Sequence, residues 1–191
     1  MPLPKCVRVL EDDTQSRETL EGDGWRYVET LVEMKREAEP YSTHSTQSGP
    51  ISCLTEAQLQ LVIDIARENM GPNRFIEDGV LDLKAAQDVR EDWVRTWDGE
   101  IIITETTLTH PGNILGFLLR DENRLSLVVV DEQERRQGVG KELTKCFLNR
   151  VWEEEMAEAF LGTQETNLAA RSLYRGLGFR TYRRRVTYHK D

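Results

Sequence analysis

The chain has 191 residues, of which 38% are hydrophobic and 31% charged, and its formal net charge is -9. This length favours one full domain with a small addition, and the composition is too apolar for a disordered chain. A membrane span is excluded, because no stretch approaches the required 18 or so apolar residues. The acidic charge argues against general nucleic-acid binding, although residues 167–191 carry seven Lys or Arg against one Asp.

The three cysteines are scattered at positions 6, 53 and 146, with no C-x-x-C pair. This spacing argues against a disulfide framework and against a zinc site, and it favours a reducing, cytoplasmic location. The first residues lack the apolar core of a signal peptide. His44, His110 and His189 show no metal-ligand spacing, so we expect no metal.

A small β-α-β unit is predicted at the N-terminus. Its elements are a strand at 7–10, a helix at 14–21 and a strand at 25–34. Asp12 or Asp13 is a suitable helix cap, and Gly22 and Gly24 end the helix. Residues 39–50 are polar and rich in turn formers, which is typical of a linker. The predicted organisation is therefore an N-terminal unit at 1–38, a linker at 39–50 and a main domain at 51–191.

Helices and strands alternate in the main domain. The predicted strands lie at 51–54, 100–106, 113–119, 125–130, 158–163 and 179–189. Thr55 and Gln58 form a capping box for a helix that ends at Gly71-Pro72. A second helix carries Ala86, Val89, Trp93 and Trp97 on one face, and both tryptophans are expected in the core. Further helices are predicted at 140–154 and 167–178. The pattern predicts an α/β or α+β domain.

The N-terminal unit resembles the end of the chain. When residues 6–37 are placed on 160–191, an offset of 154, Gly22 meets Gly176 and Gly24 meets Gly178. We interpret this as a degenerate partial repeat that lies beside the main sheet, with chance similarity between two copies of a common β-α-β shape as the alternative. Leu20 stands where the C-terminal copy has Tyr174, so no catalysis is expected in the N-terminal copy.

A glycine-bearing turn follows the predicted strand at 125–130. Gly138 and Gly140 let backbone N–H groups approach an anion, and the following helix adds the positive end of its dipole. Arg135, Arg136 and Lys141 add positive charge, so the segment is a candidate pyrophosphate cradle. It is neither a Walker loop nor a dinucleotide fingerprint, and an ordinary glycine-containing helix start remains the alternative.

A second motif begins at Asn167. On a helix, Asn167, Ala170 and Tyr174 share one face, where small Ala170 leaves room for a ligand. Asn167 can donate and accept hydrogen bonds, and Tyr174 brings a phenol to the same surface. The alternatives are a plain N-cap for Asn167 and core packing for Tyr174.

The two motifs, R-x-x-G-x-G after a strand and then N-x-x-A-x-x-L-Y-x-x-L-G-F, together resemble the GNAT superfamily of N-acetyltransferases over residues 51–191. The resemblance implies an acyl-CoA N-acyltransferase fold, with a mixed central sheet flanked by helices and a truncated N-terminal GNAT-like unit. It implies acetyl-CoA as co-substrate and Tyr174 as general acid. The cofactor-binding residues it implies are Val128, Val130, Arg135, Arg136, Gln137, Gly138, Val139, Gly140, Lys141, Asn167 and Ala170. Glu165, Asp131, Glu132 or a water chain remain candidates for the base.

A narrower resemblance concerns the acceptor. The segments around Arg74-Phe75 and Trp93-Val94 are similar to those of TDP-fucosamine acetyltransferases, which acetylate a 4-amino-4,6-dideoxygalactose carried on dTDP. This implies a small-molecule amine acceptor, a nucleotide sugar, with Arg74 and Phe75 near it. The alternatives are a protein, peptide or small-amine acetyltransferase, and a non-catalytic acyl-CoA-binding module. No nucleic acid or membrane partner is expected, and a homodimer stays open.

Three consecutive arginines, Arg183 to Arg185, lie in the last predicted strand. Alternation along a strand places Arg183 and Arg185 on one face and Arg184 on the other. Two alternatives follow for these arginines. The preferred one is an edge strand kept soluble by its charge, and the other is a face suited to a sugar-nucleotide pyrophosphate.

Overall fold

The computed structural model describes residues 5–41, 54–69, 79, 81–106 and 113–190. The strands are β1 (Lys5–Leu10), β2 (Arg26–Glu37), β3 (Glu100–Thr106), β4 (Asn113–Asp121), β5 (Arg124–Val130), β6 (Glu158–Gln164) and β7 (Arg180–Lys190). The helices are α1 (Thr14–Gly22), α2 (Glu56–Asn69), α3 (Leu83–Arg95), α4 (Val139–Glu153) and α5 (Leu168–Gly176). Predicted elements within these ranges are confirmed to within a few residues. Arg74, Phe75, most of the predicted strand at 51–54, the predicted helix end at Gly71-Pro72 and most of the predicted linker lie outside the described residues.

In helices α2 and α3, one predicted feature is confirmed and one is not. The capping box of α2 is confirmed, since Gln58 N donates to Thr55 Oγ1 at 3.3 Å and Thr55 N donates to Gln58 Oε1 at 3.0 Å. The buried face of α3 differs from the expected one: it runs through Ala86, Arg90 and Val94, and Trp93 is 39% exposed. The expectation that Trp93 belongs to the core is therefore wrong, because Trp93 lies one position away from the buried stripe.

The chain divides into two compact units. One comprises residues 36–71 and 84–160, in which β3, β4 and β5 pair antiparallel. Alternating apolar residues of these strands pack against α2 and α3, and the fully buried members include Val62, Ile63, Ala66, Phe117 and Leu119. No described helix is long and apolar enough to cross a membrane.

The other unit comprises residues 1–35, 72–83 and 161–191, and its strand order is β1-β7-β2-β6. Strand β7 pairs antiparallel with β1 on one side and with β2 on the other. The alternative of a solubilising edge strand for the three arginines is therefore wrong, because β7 has a neighbour on each side. The N-terminal strand β2 lies inside the sheet rather than next to it.

The predicted repeat is visible in the backbone of this unit. Helices α1 and α5 begin and end 154 residues apart. Asp13 Oδ1 accepts from Ser16 N, and Asn167 Oδ1 accepts from Ala170 N, each at 3.1 Å. Each helix is followed by a left-handed glycine at the same offset: φ is +80° at Gly24 and +87° at Gly178. The two β-α-β segments therefore share their caps and turns.

The register of β2 and β7 shows how the two copies are related. Leu31 lies opposite Arg185, and these residues are themselves 154 positions apart. On either side of this pair, Glu29 lies opposite Thr187 and Glu33 lies opposite Arg183. At the offset of 154, position 29 corresponds to 183 and position 33 to 187, so exchanging the two copies converts one pair into the other. A local two-fold axis therefore passes through the Leu31–Arg185 pair.

Candidate functional site

The turn between β5 and α4 contains two left-handed backbone positions. Arg136 has φ of +64° and Gly138 has φ of +90°. Asp131 closes the start of the turn, since its Oδ1 accepts from Gln133 N at 2.9 Å. At Gly138, apart from its two chain neighbours, no residue that the structure describes lies within 4 Å of the place a Cβ would take. Glycine thus meets the backbone requirement here and leaves the surface open.

The start of α4 presents backbone amides that precede the first hydrogen bonds within the helix. The carbonyl oxygen of Gly138 accepts from Lys141 N at 2.9 Å and from Glu142 N at 3.0 Å, which marks the first helical turn. The amides that precede Lys141 have no carbonyl four residues earlier within the helix. These donors and the positive end of the helix dipole favour an anion, and Arg136, Gln137 and Lys141 are exposed beside them.

Asn69 holds the turn in place, a role that the sequence did not reveal. Its Oδ1 accepts from Glu132 N at 2.7 Å, and its carbonyl oxygen accepts from Arg135 Nη2 at 2.9 Å. Arg135 therefore links the turn to the end of α2 while its side chain stays 46% exposed. Asn69 is the last residue of α2, and only the tertiary structure brings it to residues more than 60 positions later.

Gly116 is a second position that the sequence did not single out. It lies opposite Val130 in the β4–β5 pair, and a Cβ there would be 2.7 Å from the Val129 carbonyl oxygen and 3.3 Å from Val139 Cγ1. Val139, the first residue of α4, is buried at 8% exposure. The close approach at Gly116 therefore sets the start of α4 against the end of β5. Val128 and Val130 are half-buried along the same strand.

We expect Gly116→Ala to destabilise the protein, because the new Cβ meets backbone rather than a movable side chain. The expected loss is about 1–3 kcal/mol of unfolding free energy, or several degrees in Tm. The measurement is thermal unfolding followed by circular dichroism. Gly22→Ala is the matched control, since nothing lies within 4 Å of its Cβ position. Equal Tm values for the two variants would contradict the packing assigned to Gly116.

The second motif lies in the other unit, on α5. Asn167 is the N-cap, which occupies its Oδ1, while its Nδ2 donates to no described residue. Ala170 is half-buried. Tyr174 is 6% exposed and its ring meets Phe179 edge-on, with centroids 6.0 Å apart. Burial raises the pKa of Tyr174 to about 12, so the phenol keeps its proton at neutral pH.

A comparison of the two copies of the repeat shows which contacts both β-α-β segments need and which side chain differs between them. Arg17 donates to the Glu11 carbonyl at 2.9 Å, and Arg171 donates to the Glu165 carbonyl at 2.7 Å, so this contact is structural in both copies. The carbonyls of Leu20 and Tyr174 accept from the equivalent amides, each at 3.0 Å. Only the side chain differs at this position. The fold therefore does not require a phenol at Tyr174.

The carboxylates considered as bases are engaged or exposed. Glu165 forms an ion pair with Arg184, which also pairs with Glu11. Asp131 caps the turn, and Glu132 is 80% exposed. Among the described residues, no group of three or more His, Cys, Asp or Glu is arranged to hold a metal ion.

Comparison with known proteins agrees with these two motifs. The family model described as "Acetyltransferase (GNAT) domain" matches residues 92–189. The chain belongs to the GNAT acetyltransferase family. This match covers both the cradle and the Tyr174 helix.

Individual known proteins also match the chain. A Dictyostelium discoideum protein named N-alpha-acetyltransferase 30 is 35% identical over 71 residues, which are 37% of this chain and 38% of that one. A GCN5-related N-acetyltransferase structure from Sphaerobacter thermophilus has a TM-score of 0.67 at 18% identity. It aligns over 98% of this chain, which spans only 60% of that protein.

A tandem GNAT protein from the clavulanic acid biosynthesis pathway has a similar fold. Its TM-score is 0.64 at 12% identity, over 97% of this chain and 63% of that one. These solved structures confirm the expected mixed α/β fold of the GNAT type.

Proposed function

We propose that the protein transfers an acetyl group from acetyl-CoA to a primary amine, with Tyr174 as general acid. The observation that carries this is the occurrence, in one GNAT-family chain, of an open turn with backbone donors at Gly138 and of a buried phenol at Tyr174. Acetyl-CoA supplies the acetyl group as an activated thioester. Its pyrophosphate fits the turn, because the open space at Gly138, the free amides and the exposed cations all favour a bulky anion.

The chain's own residues then have distinct roles in this proposal. Val128 and Val130 offer backbone groups to the pantetheine arm, and Asn167 offers its free Nδ2 next to small Ala170. The pyrophosphate is held by the turn and the start of α4, namely Arg135, Arg136, Gln137, Gly138, Val139, Gly140 and Lys141. An amine must be neutral to attack the thioester carbonyl. Glu165, Asp131 and Glu132 already have structural partners or lie exposed. We therefore propose that a chain of water molecules removes the proton from the amine.

Tyr174 acts on the departing sulfur through the hydrogen bond that its Oη–H donates, and the proton lost by the attacking amine finally neutralises that sulfur. A thiol has a pKa of roughly 8.5, so a nearby acid stabilises the thiolate that leaves at neutral pH. A phenol whose pKa is raised to about 12 remains protonated throughout the working range. The transfer needs no metal in this scheme.

For the acceptor we propose the amino group of a nucleotide-linked 4-amino-4,6-dideoxy sugar, which rests on the resemblance around Arg74 and Phe75. A peptide α-amine is the second candidate, because the Dictyostelium discoideum relative is named an N-alpha-acetyltransferase. We also propose the domain limits 1–38, 39–50 and 51–191, with the first segment a remnant of a second GNAT unit, and a cytoplasmic location. The repeat at offset 154 supports the remnant.

The test is mass spectrometry of acceptors incubated with the protein and acetyl-CoA. dTDP-4-amino-4,6-dideoxygalactose and a peptide with a free α-amine are offered in separate reactions, each with a protein-free control. We expect a gain of one acetyl group on the amino sugar. A gain only on the peptide would replace the acceptor while keeping the reaction. Acetyl-CoA binding without transfer to either, or to a panel of small amines, would favour a non-catalytic module.

A further inference from the structure

Three consecutive arginines of β7 have two different environments. Arg184 pairs with Glu11 and Glu165, and Arg183 and Arg185 lie on the opposite face of the strand. There the Nε atoms of Arg185 and Arg183 lie 3.2 Å and 3.6 Å from the same carboxylate oxygen, Oε2 of Glu33. Glu33 is buried, whereas the two guanidinium side chains are 35% and 41% exposed. One buried carboxylate therefore orients two half-exposed cations.

The charges of this cluster do not balance. Two guanidinium groups share the single negative charge of Glu33, which leaves a net positive charge. Each guanidinium has five N–H donors, and no described residue accepts a hydrogen bond from the Nη atoms of Arg183 or Arg185. Arg183 also lies over the Tyr182 ring, 5.2 Å from its centroid, which further orders its side chain. The cluster thus offers oriented, unused donors.

The repeat shows that the fold does not demand these arginines. At an offset of 154, the positions of Arg183 and Arg185 correspond to Glu29 and Leu31 of β2. The same place in the sheet accepts an acidic or an apolar side chain. Since β7 is an internal strand, protection of a sheet edge does not explain them either.

The face of the sheet on which Arg183 and Arg185 lie indicates whether they bind acetyl-CoA or the acceptor. Tyr188, on the Arg184 face, is hydrogen-bonded to Arg17 and Glu21 of α1, and Arg184 reaches Glu165 just before α5. The helices of this unit, including the α5 residues proposed to hold acetyl-CoA, therefore lie on that face. Arg183 and Arg185 lie on the other one.

We propose that Arg183 and Arg185 bind an anionic group of the acceptor, a phosphate or a carboxylate, and that Glu33 is their positioning residue. Guanidinium groups suit both anions because their planar N–H pairs match two oxygen atoms. The proposal deepens the proposed function and rests on it: it names the residues that hold the negatively charged group of the acceptor.

A binding experiment tests the site without requiring turnover. Inorganic pyrophosphate is titrated into the protein by calorimetry, with saturating coenzyme A present so that the turn at Gly138 is filled. We expect Arg183→Gln with Arg185→Gln to weaken pyrophosphate binding by at least about tenfold, because charge-assisted hydrogen bonds are lost. Arg180→Gln, at the exposed start of β7, is the control and should bind as the parent does. Equal binding by the double variant, or no binding by the parent, would overturn the proposal.

Kinetics separate the acceptor from the cofactor. In the double variant we expect KM for an anionic acceptor to rise about tenfold or more, with KM for acetyl-CoA and kcat little changed, and partial rescue by Arg→Lys at both positions. A rise in KM for acetyl-CoA alone would assign the arginines to the cofactor and overturn the proposal. If no acceptor is acetylated but the pyrophosphate result holds, the proposed reaction fails while the anion site stands.

Discussion

Replacing Tyr174 by phenylalanine should lower kcat by about 10²–10⁴-fold, because a positioned general acid contributes roughly that much. The ring of Tyr174 is buried against Phe179, so phenylalanine keeps the packing and removes only the hydroxyl group. Acetyl-CoA affinity, measured by calorimetry, should stay within a few-fold of the parent. Steady-state kinetics with the acetylated acceptor give the turnover.

The pH dependence provides a second readout for Tyr174. An acid must be protonated to act, and burial raises the pKa of this phenol to about 12. Loss of activity through its ionisation should therefore begin only near pH 11, above the usual tyrosine range. Tyr27→Phe is the control, since Tyr27 is 56% exposed and its hydroxyl meets only Thr30 among the described residues. Unchanged kcat in the Tyr174 variant would remove it from the mechanism.

Placing a carboxylate at the start of α4 should abolish acetyl-CoA binding. In Gly138→Glu the new side chain fills the open space at the turn and repels the pyrophosphate. We expect Kd to rise by at least about a hundredfold, since both steric room and electrostatic attraction are lost. Adding Gly140→Glu should leave no measurable binding. Calorimetric titration of acetyl-CoA gives both values.

Backbone strain at Gly138 could also explain a loss of acetyl-CoA binding in the glutamate variant, and a matched control tests this explanation. Gly138 and Gly24 have φ of +90° and +80°, and beyond the chain neighbours no described residue comes within 4 Å of either Cβ position. A glutamate costs about 1–3 kcal/mol of strain at either glycine. Gly24→Glu should thus lower Tm about as much as Gly138→Glu and yet bind acetyl-CoA normally. Comparable loss of binding in both variants would refute the cradle.

The segments that carry the two motifs were predictable because their signals are local. A buried strand followed by a glycine turn indicated β5 and α4, and the Asn167 cap with the glycines after Tyr174 bounded α5. Helix caps and left-handed glycines act within a few residues, so they can be read from consecutive positions. The same locality made the repeat at offset 154 detectable in the sequence.

Other features depended on contacts between distant residues. Trp93 shares helical spacing with apolar neighbours, yet the stripe that packs inward is one position away. Asn69 and Gly116 carried no local signal, because their roles arise from a turn and a helix that come later in the chain. Periodicity shows that a helix has an apolar side but not which neighbouring side chains complete the packing.

By itself, the sequence determined the element order, the motif-bearing turns and the similarity of the two β-α-β segments. The tertiary structure decided that β2 lies between β7 and β6, that Glu33 meets Arg183 and Arg185, and that Tyr174 is buried. Glu33 lies 150 and 152 positions from the two arginines that it meets. Strand partners and burial result from the free energy of the whole packed sheet, and no stretch of consecutive residues encodes them alone.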